Sequence, residues 1–250
     1  MKPFVSALVV LLLSQSVVLA EGPPLAVTER IGQAEARIDS ALNQLEKQQK
    51  LEEALERYQA EVMALEALET DPGDRDNAER HRVLAYGYLR IGNVFRQLGR
   101  NDEALKAGER ELNCARESGD DLTLARTYMN FGTTLLTSGE AERGLALIER
   151  SRPLFELGDG FDFKQGLGWY WILQTELALA GLKSLEPEDQ LAAADQALEI
   201  LMPIENWAGV ARAFALRVRI NQSLGREEAA AFDAERQEEY QARDQGVPKA

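Results

Sequence analysis

Four aromatic residues, Tyr88, Tyr128, Tyr170 and Phe214, each stand eleven positions before a glycine: Gly99, Gly139, Gly181 and Gly225. Successive aromatics are 40, 42 and 44 residues apart. A period of that size marks a stack of helical hairpins, because one hairpin cannot bury its apolar face alone and must lean on the next. The interval therefore predicts an all-α chain built by repetition, and it favours binding over chemistry. Composition agrees: 45% of residues are hydrophobic, few prolines interrupt the periodic segments, and signals for strands are nearly absent.

The first twenty residues read differently. Lys2 precedes an uncharged apolar stretch from Phe4 to Ala20, with Val18 and Ala20 at the small-residue places of a cleavage site and Glu21-Gly22-Pro23-Pro24 beyond. This is the pattern of a secretory signal peptide over residues 1–20, and it predicts export, most simply to the periplasm of a Gram-negative bacterium. An apolar run of about 17 residues is at the lower limit for spanning a bilayer, so retention as an uncleaved anchor stays open. Apart from that anchor no membrane contact is expected. Cys114 is the only cysteine, so no internal disulfide can form and stability must come from packing.

The formal net charge is −14. Such a surface repels nucleic acid and anionic lipid, and the cations are interleaved with carboxylates instead of clustered. His81 is the only histidine, which excludes a metal site built on paired histidines. The glycines of Gly87-Tyr88-Leu89-Arg90-Ile91-Gly92 lack the lysine and hydroxyl of a phosphate loop, and the turn around Asp159 and Asp162 lacks the staggered oxygens of a calcium loop. The expectation is a non-catalytic protein without cofactor or metal. His81 is expected to be a solvated helix residue and Cys114 a small packed one.

Residues 21–75 form an N-terminal helical segment with two readings. Ile31, Ile38 and Leu45 recur at heptad spacing, which suits one continuous helix over residues 29–69, about 60 Å long, capable of oligomerising as a coiled coil. The next heptad place is Glu52, however, and the apolar stripe resumes at Leu55. A break near Gln48-Gln49-Lys50 would instead make residues 51–68 the second helix of a degenerate hairpin, and Glu53-Ala54-Leu55 repeats Glu103-Ala104-Leu105. Homo-oligomerisation is open on the first reading.

After the breaker Asp71-Pro72-Gly73-Asp74, the segment 76–243 holds about four hairpins, followed by a tail over 244–250 expected to be disordered. Asn101 is placed to cap a helix, Pro187 to start one, and Pro153 to bend one. In the fourth unit Arg217 and Asn221 take places that are apolar in the others, which predicts a terminal unit with one wet face.

Tyr88, Ile91, Gly92, Phe95 and Ala104 in the first clear unit, and Tyr128, Phe131, Gly132, Leu135 and Gly144 in the second, resemble the tetratricopeptide repeat. The third unit keeps Tyr170, Leu173 and Leu177 but has Gln174 at the glycine place. The resemblance, to a long-repeat variant, implies a helical-hairpin solenoid preceded by the long helix or degenerate hairpin. It also implies a concave groove, lined by the first helix of each hairpin, that holds a peptide or a partner protein. Residue by residue it assigns to the groove Leu89, Asn93 and Arg96; Arg126, Met129, Asn130, Thr133 and Leu136; Trp171 and Thr175; Arg212 and Arg219. Asn93 and Asn130 stand where the family's peptide clamps carry asparagines, but Leu89 replaces the clamp lysine. With its arginines and Trp171 the groove is expected to favour an acidic or aromatic-containing segment, unless the arginines pair with carboxylates of the next helix. The function implied is an adaptor for an envelope complex; the alternative is an assembly factor oligomerised through its N-terminal coiled coil.

Overall fold

A computed structural model describes residues 25–246; the proposed signal peptide and the end of the tail lie outside the described residues. Ten α-helices and no strand occur among them. They form five hairpins: α1 (Val27–Gln44) with α2 (Leu51–Glu66), α3 (Arg75–Gln97) with α4 (Asn101–Ser118), α5 (Asp121–Thr137) with α6 (Ala141–Phe155), α7 (Phe161–Leu179) with α8 (Pro187–Leu201), and α9 (Trp207–Ser223) with α10 (Glu227–Asp244).

The repeated glycines are the turns. Gly99, Gly139, Gly181 and Gly225 have φ of 73°, 87°, 72° and 70°, a left-handed conformation that glycine adopts without a Cβ penalty. In each case the next amide reaches back to a carbonyl five residues earlier. Arg100 N bonds Phe95 O at 2.8 Å, and Glu140 to Leu135, Leu182 to Leu177 and Arg226 to Asn221 each close at 2.9 Å. This is the Schellman closure of a helix C-terminus, which satisfies carbonyls the ending helix would leave orphaned.

The N-terminal segment uses the same device without glycine. Gln49 has φ 63°, and Lys50 N bonds Leu45 O at 2.9 Å after a single 3₁₀ turn over Glu46–Gln48. The continuous helix over residues 29–69 therefore does not form. Ile31 and Ile38, the residues that would zip a coiled coil, are 1% and 0% exposed and pack within the chain against Tyr58, Val62 and Val83. The physical reason is the stripe's jump from Leu45 to Leu55: only a reversal of direction lets both halves face one core. A non-glycine residue in this conformation costs roughly 1–2 kcal/mol. Gln49→Gly is accordingly expected to raise stability by about 1 kcal/mol, readable as a higher midpoint in urea; an unchanged or lower midpoint would show that the side chain compensates the strain.

Hairpins stack through their first helices. α1 packs on α3, α3 on α5, α5 on α7 and α7 on α9, whereas second helices meet chiefly their own partner and the first helix that follows. The odd-numbered helices thus make one continuous inner layer and the even-numbered ones a splayed outer layer, the arrangement that curves a solenoid. Close approach within a hairpin comes from small residues, most tightly where Gly132 of α5 faces Gly144 of α6. Asp120 caps α5 by accepting from Thr123 N at 2.7 Å, and Asn206 caps α9 by accepting from Gly209 N at 2.9 Å. Asn101 opens α4 as its first helical residue and makes no cap hydrogen bond.

The fourth clear unit departs from the expected wet face. Asn221 is 3% exposed and donates to Asp233, itself fully buried, at 2.8 Å. Arg217 donates to the other oxygen of Asp233 at 3.1 Å and also to Asp195 of α8. A polar residue is tolerated inside a hairpin when its partner is equally buried and paired, and the two helices carry both halves.

Cys114 is half-buried against the first core, and burial, with the Glu66 carboxylate second, pushes its thiol up to about 11. Since the thiolate is the reactive form, alkylation by iodoacetamide at pH 8 should run about a hundredfold slower in the native protein than in urea. Equal rates would mean the packing around Cys114 is loose.

Candidate functional site

The inner layer is held by polar contacts that cross from one hairpin to the next. Arg82 of α3 donates to Glu35 of α1 at 2.7 Å, and the Tyr86 hydroxyl donates to Asp39 of α1 at 2.7 Å. Arg126 of α5 pairs with Asp162 of α7 at 2.6 Å, and Arg212 of α9 pairs with Glu176 of α7 at 2.5 Å. The seams α1/α3, α5/α7 and α7/α9 are each bridged in this way. Among the described residues the α3/α5 seam has no such bridge.

At that seam lies a cavity of about 240 Å³, bordered by Glu35 and Asp39 of α1, Arg82, Tyr86 and Leu89 of α3, Thr123, Arg126 and Thr127 of α5, and Glu111 of α4. Glu111 is 4% exposed. Burial pushes its carboxyl well above the ordinary carboxylate range; the Thr127 hydroxyl and the Arg96 charge oppose that only in part. Arg96 is held below the usual guanidinium value by its own burial, and its Nη2 donates to Asn93 Oδ1 at 2.9 Å.

The other groove residues scatter along the layer. Leu89 and Arg126 reach the cavity. Asn93 and Arg96 are half-buried and bonded to one another. Met129 packs into the central core with Leu136, Asn130 is half-buried, and Thr133 bonds its own helix at the Met129 carbonyl, 2.9 Å away. Trp171 is wedged between two core clusters with the Arg152 guanidinium 5.0 Å above its ring. Thr175 cannot meet a ligand: it is fully buried on α7, which packs against α5, α6, α8 and α9, and its hydroxyl donates to the Trp171 carbonyl at 3.0 Å. Arg219 is exposed on α9.

The expected surplus of arginine in the groove disappears once neighbours are in place. Arg126 and Arg212 are engaged by carboxylates, and Glu35, Asp39, Glu111, Asp162 and Glu176 all stand on the same layer or look into it. Register within one unit missed Glu35 and Asp39, since α1 has no aromatic-to-glycine interval. Glu111 was legible in principle: it sits 40 residues before Ser151, a small, fully buried residue at the equivalent place of the next repeat. His81 also differs from expectation, being half-buried with Nδ1 lacking a hydrogen-bond partner, and burial lowers its pKa.

A second cleft, about 630 Å³, opens on the outer face where α2 and α4 splay apart. Its floor is Tyr88, Ile91 and Phe95 of α3 and its rim mixes Glu66, Glu103, Lys106 and Arg110. No helix among the described residues is long and apolar enough to cross a membrane.

Residues 83–156 match the tetratricopeptide repeat family; they are α3 to α6, the two hairpins with the fullest signature. The whole architecture is similar to BtubC (BKLC) from P. vanneervenii, with a TM-score of 0.61 at 15% identity over 91% of this chain and 95% of that one. It is also similar to the nearly identical TPR-like repeats of a kinesin light chain type protein from Podosopora anserina, with a TM-score of 0.52 at 12% identity over 86% of this chain and 98% of that one. These likenesses show the fold, a tetratricopeptide-like solenoid, and at such identities nothing finer. A comparison with curated protein sequences gives no match.

Proposed function

We propose that the chain is an exported, non-catalytic adaptor that holds a segment of a partner protein on its inner helical layer. The observation that carries this reading is the inner layer itself: five first helices side by side, bridged at three seams and left open at one, where a cavity meets exposed and half-exposed side chains. Stacked hairpins present extended concave surfaces of this kind to protein segments. The tetratricopeptide match over α3 to α6 supports the same style of function. Export rests on the N-terminal twenty residues, and periplasmic residence on the style of that signal.

A tagged pull-down from envelope extract tests the reading. A partner captured by the wild type should be lost from Leu89→Glu combined with Asn93→Ala, and kept by Met63→Glu on the outer cleft, where Met63 is 68% exposed. Loss with Met63→Glu alone would move the working surface to the outer face.

A further inference from the structure

The cavity at the α3/α5 seam has a chemical preference that the arginines around it conceal. Arg82 is held by Glu35 and Glu79, and Arg126 by Asp162, so neither positive charge is free. Asp39, exposed at the mouth, accepts from the Tyr86 hydroxyl and makes no ion pair among the described residues. Glu111 is the decisive group: a carboxyl 4% exposed, bordering the cavity, with the Thr127 hydroxyl beside it, the Arg96 charge acting on it only from beyond ion-pair distance, and no ion pair of its own among the described residues. Burying a carboxylate without an ion-pair partner is costly, and such a group either holds its proton or gains from a cation brought into contact with it. The equivalent place in the next repeat is Ser151, which bonds its own helix at the Ile148 carbonyl, so the fold does not need a carboxylate there. Leu89 and the Tyr86 ring border the approach and would cover an aliphatic stem, as long cationic side chains bury their methylenes while the head finds its partner.

Resting on the adaptor reading above, we infer that this cavity is an anchor pocket for one lysine or arginine side chain of the bound partner segment, with Glu111 receiving the cationic head and Asp39 flanking it. The occupant is a basic residue in an extended stretch, and the overall charge of −14 would draw such a stretch in from a distance. This is the opposite sign to the partner that an inventory of groove arginines suggests.

The test is selection of a random dodecapeptide library on the mature protein, followed by affinity measurement of the enriched peptides. The expected result is enrichment of lysine or arginine at one register position. Glu111→Gln, which keeps the volume and a polar end beside Thr127, should weaken those peptides by about 30-fold or more, the consequence of removing one partner of a buried charge pair. Its melting temperature should be unchanged or higher, because a buried ionisable carboxyl with no ion-pair partner is replaced by a neutral amide. Asp39→Asn is the second variant and should weaken the same peptides less. Enriched peptides that are acidic, or basic ones insensitive to both variants, overturn the pocket while leaving the adaptor reading in place. No enrichment of any peptide overturns both. A Glu111→Gln protein that loses stability in step with affinity shows the carboxyl to be structural and overturns the pocket.

Discussion

Replacing Glu46 by alanine is expected to release the first hairpin from the rest of the solenoid. Glu46 lies in the 3₁₀ turn between α1 and α2 and its side chain is 7% exposed. It accepts from the Tyr58 hydroxyl at 2.8 Å, from Arg90 Nε at 3.1 Å, from a second Arg90 nitrogen, and from Gln97 Nε2 at 3.1 Å. One carboxylate therefore joins the turn to α2 and both to α3. Removing it leaves the Arg90 guanidinium, whose side chain is 14% exposed, without its counter-charge. Breaking one side of such a pair costs about 3–5 kcal/mol.

In a repeat array that loss stays local, since each hairpin touches only its neighbours. Hydrogen exchange should thus show amides of residues 27–66 losing protection while α5 to α10 keep theirs. Glu46→Gln keeps one acceptor oxygen, for Tyr58 or for Gln97 but not both, and should be milder than alanine. If Glu46→Ala shifts stability by less than about 1 kcal/mol, comparable to an exposed pair, the clip is not what holds the hairpin.

The second large effect concerns two glycines at the same repeat position with opposite consequences. A Cβ on Gly132 would stand 2.6 Å from Ile148 Cγ1, 2.8 Å from the Gly144 carbonyl oxygen and 3.2 Å from Ile148 N. Two of those neighbours are backbone, so relief requires α5 and α6 to move apart. Gly132→Ala should then cost about 2–3 kcal/mol, in the range of overpacked cores, and lower the melting temperature by roughly 4–12 °C for a chain of this size.

On Gly92 the same Cβ would meet nothing closer than Ala107 Cβ at 3.6 Å and the Ala104 carbonyl at 3.8 Å, which is ordinary contact. There the intrinsic preference of a helix for alanine dominates, and Gly92→Ala should stabilise by about 0.5–1 kcal/mol. The difference arises across the hairpin: Ala104 faces Gly92 where Gly144 faces Gly132, so the first pair of helices is already set further apart. Two changes of the same sign, measured by thermal or urea unfolding, would mean that helix separation does not control this position.

That pair also shows how far local text reaches. The four aromatic-to-glycine intervals specified the turns, because only a residue free of a Cβ takes positive φ cheaply, and all four glycines do so. The hairpin they missed is the first, where Gln49 adopts the same conformation at a cost. Its trace was present as Glu53-Ala54-Leu55 repeating Glu103-Ala104-Leu105, and Ala54 and Ala104 are indeed 0% and 1% exposed. The alternative long helix failed because the heptad stripe changes face at Glu52. Arg217 and Asn221 looked like solvent-facing exceptions only because Asp233, twelve or more residues away on the returning helix, was not yet their neighbour.

The candidate site was less legible than the fold. Repeat register marks which positions of a helix turn inward, and of the residues it named Leu89 and Arg126 border the seam cavity. It could not say that Arg126 and Arg212 spend their charge on Asp162 and Glu176, nor that Thr175 is fully buried. The sequence by itself determined the repeat period, the turns, the small residues that let helices approach and the acidic surface, since these follow from backbone sterics and local periodicity. Only the tertiary structure decided which charges remain uncompensated, because that depends on distances between side chains on different hairpins. Glu35, Asp39, Arg82, Glu111 and Arg126 are spread over about ninety residues of chain, and stacking alone makes them the walls of one cavity.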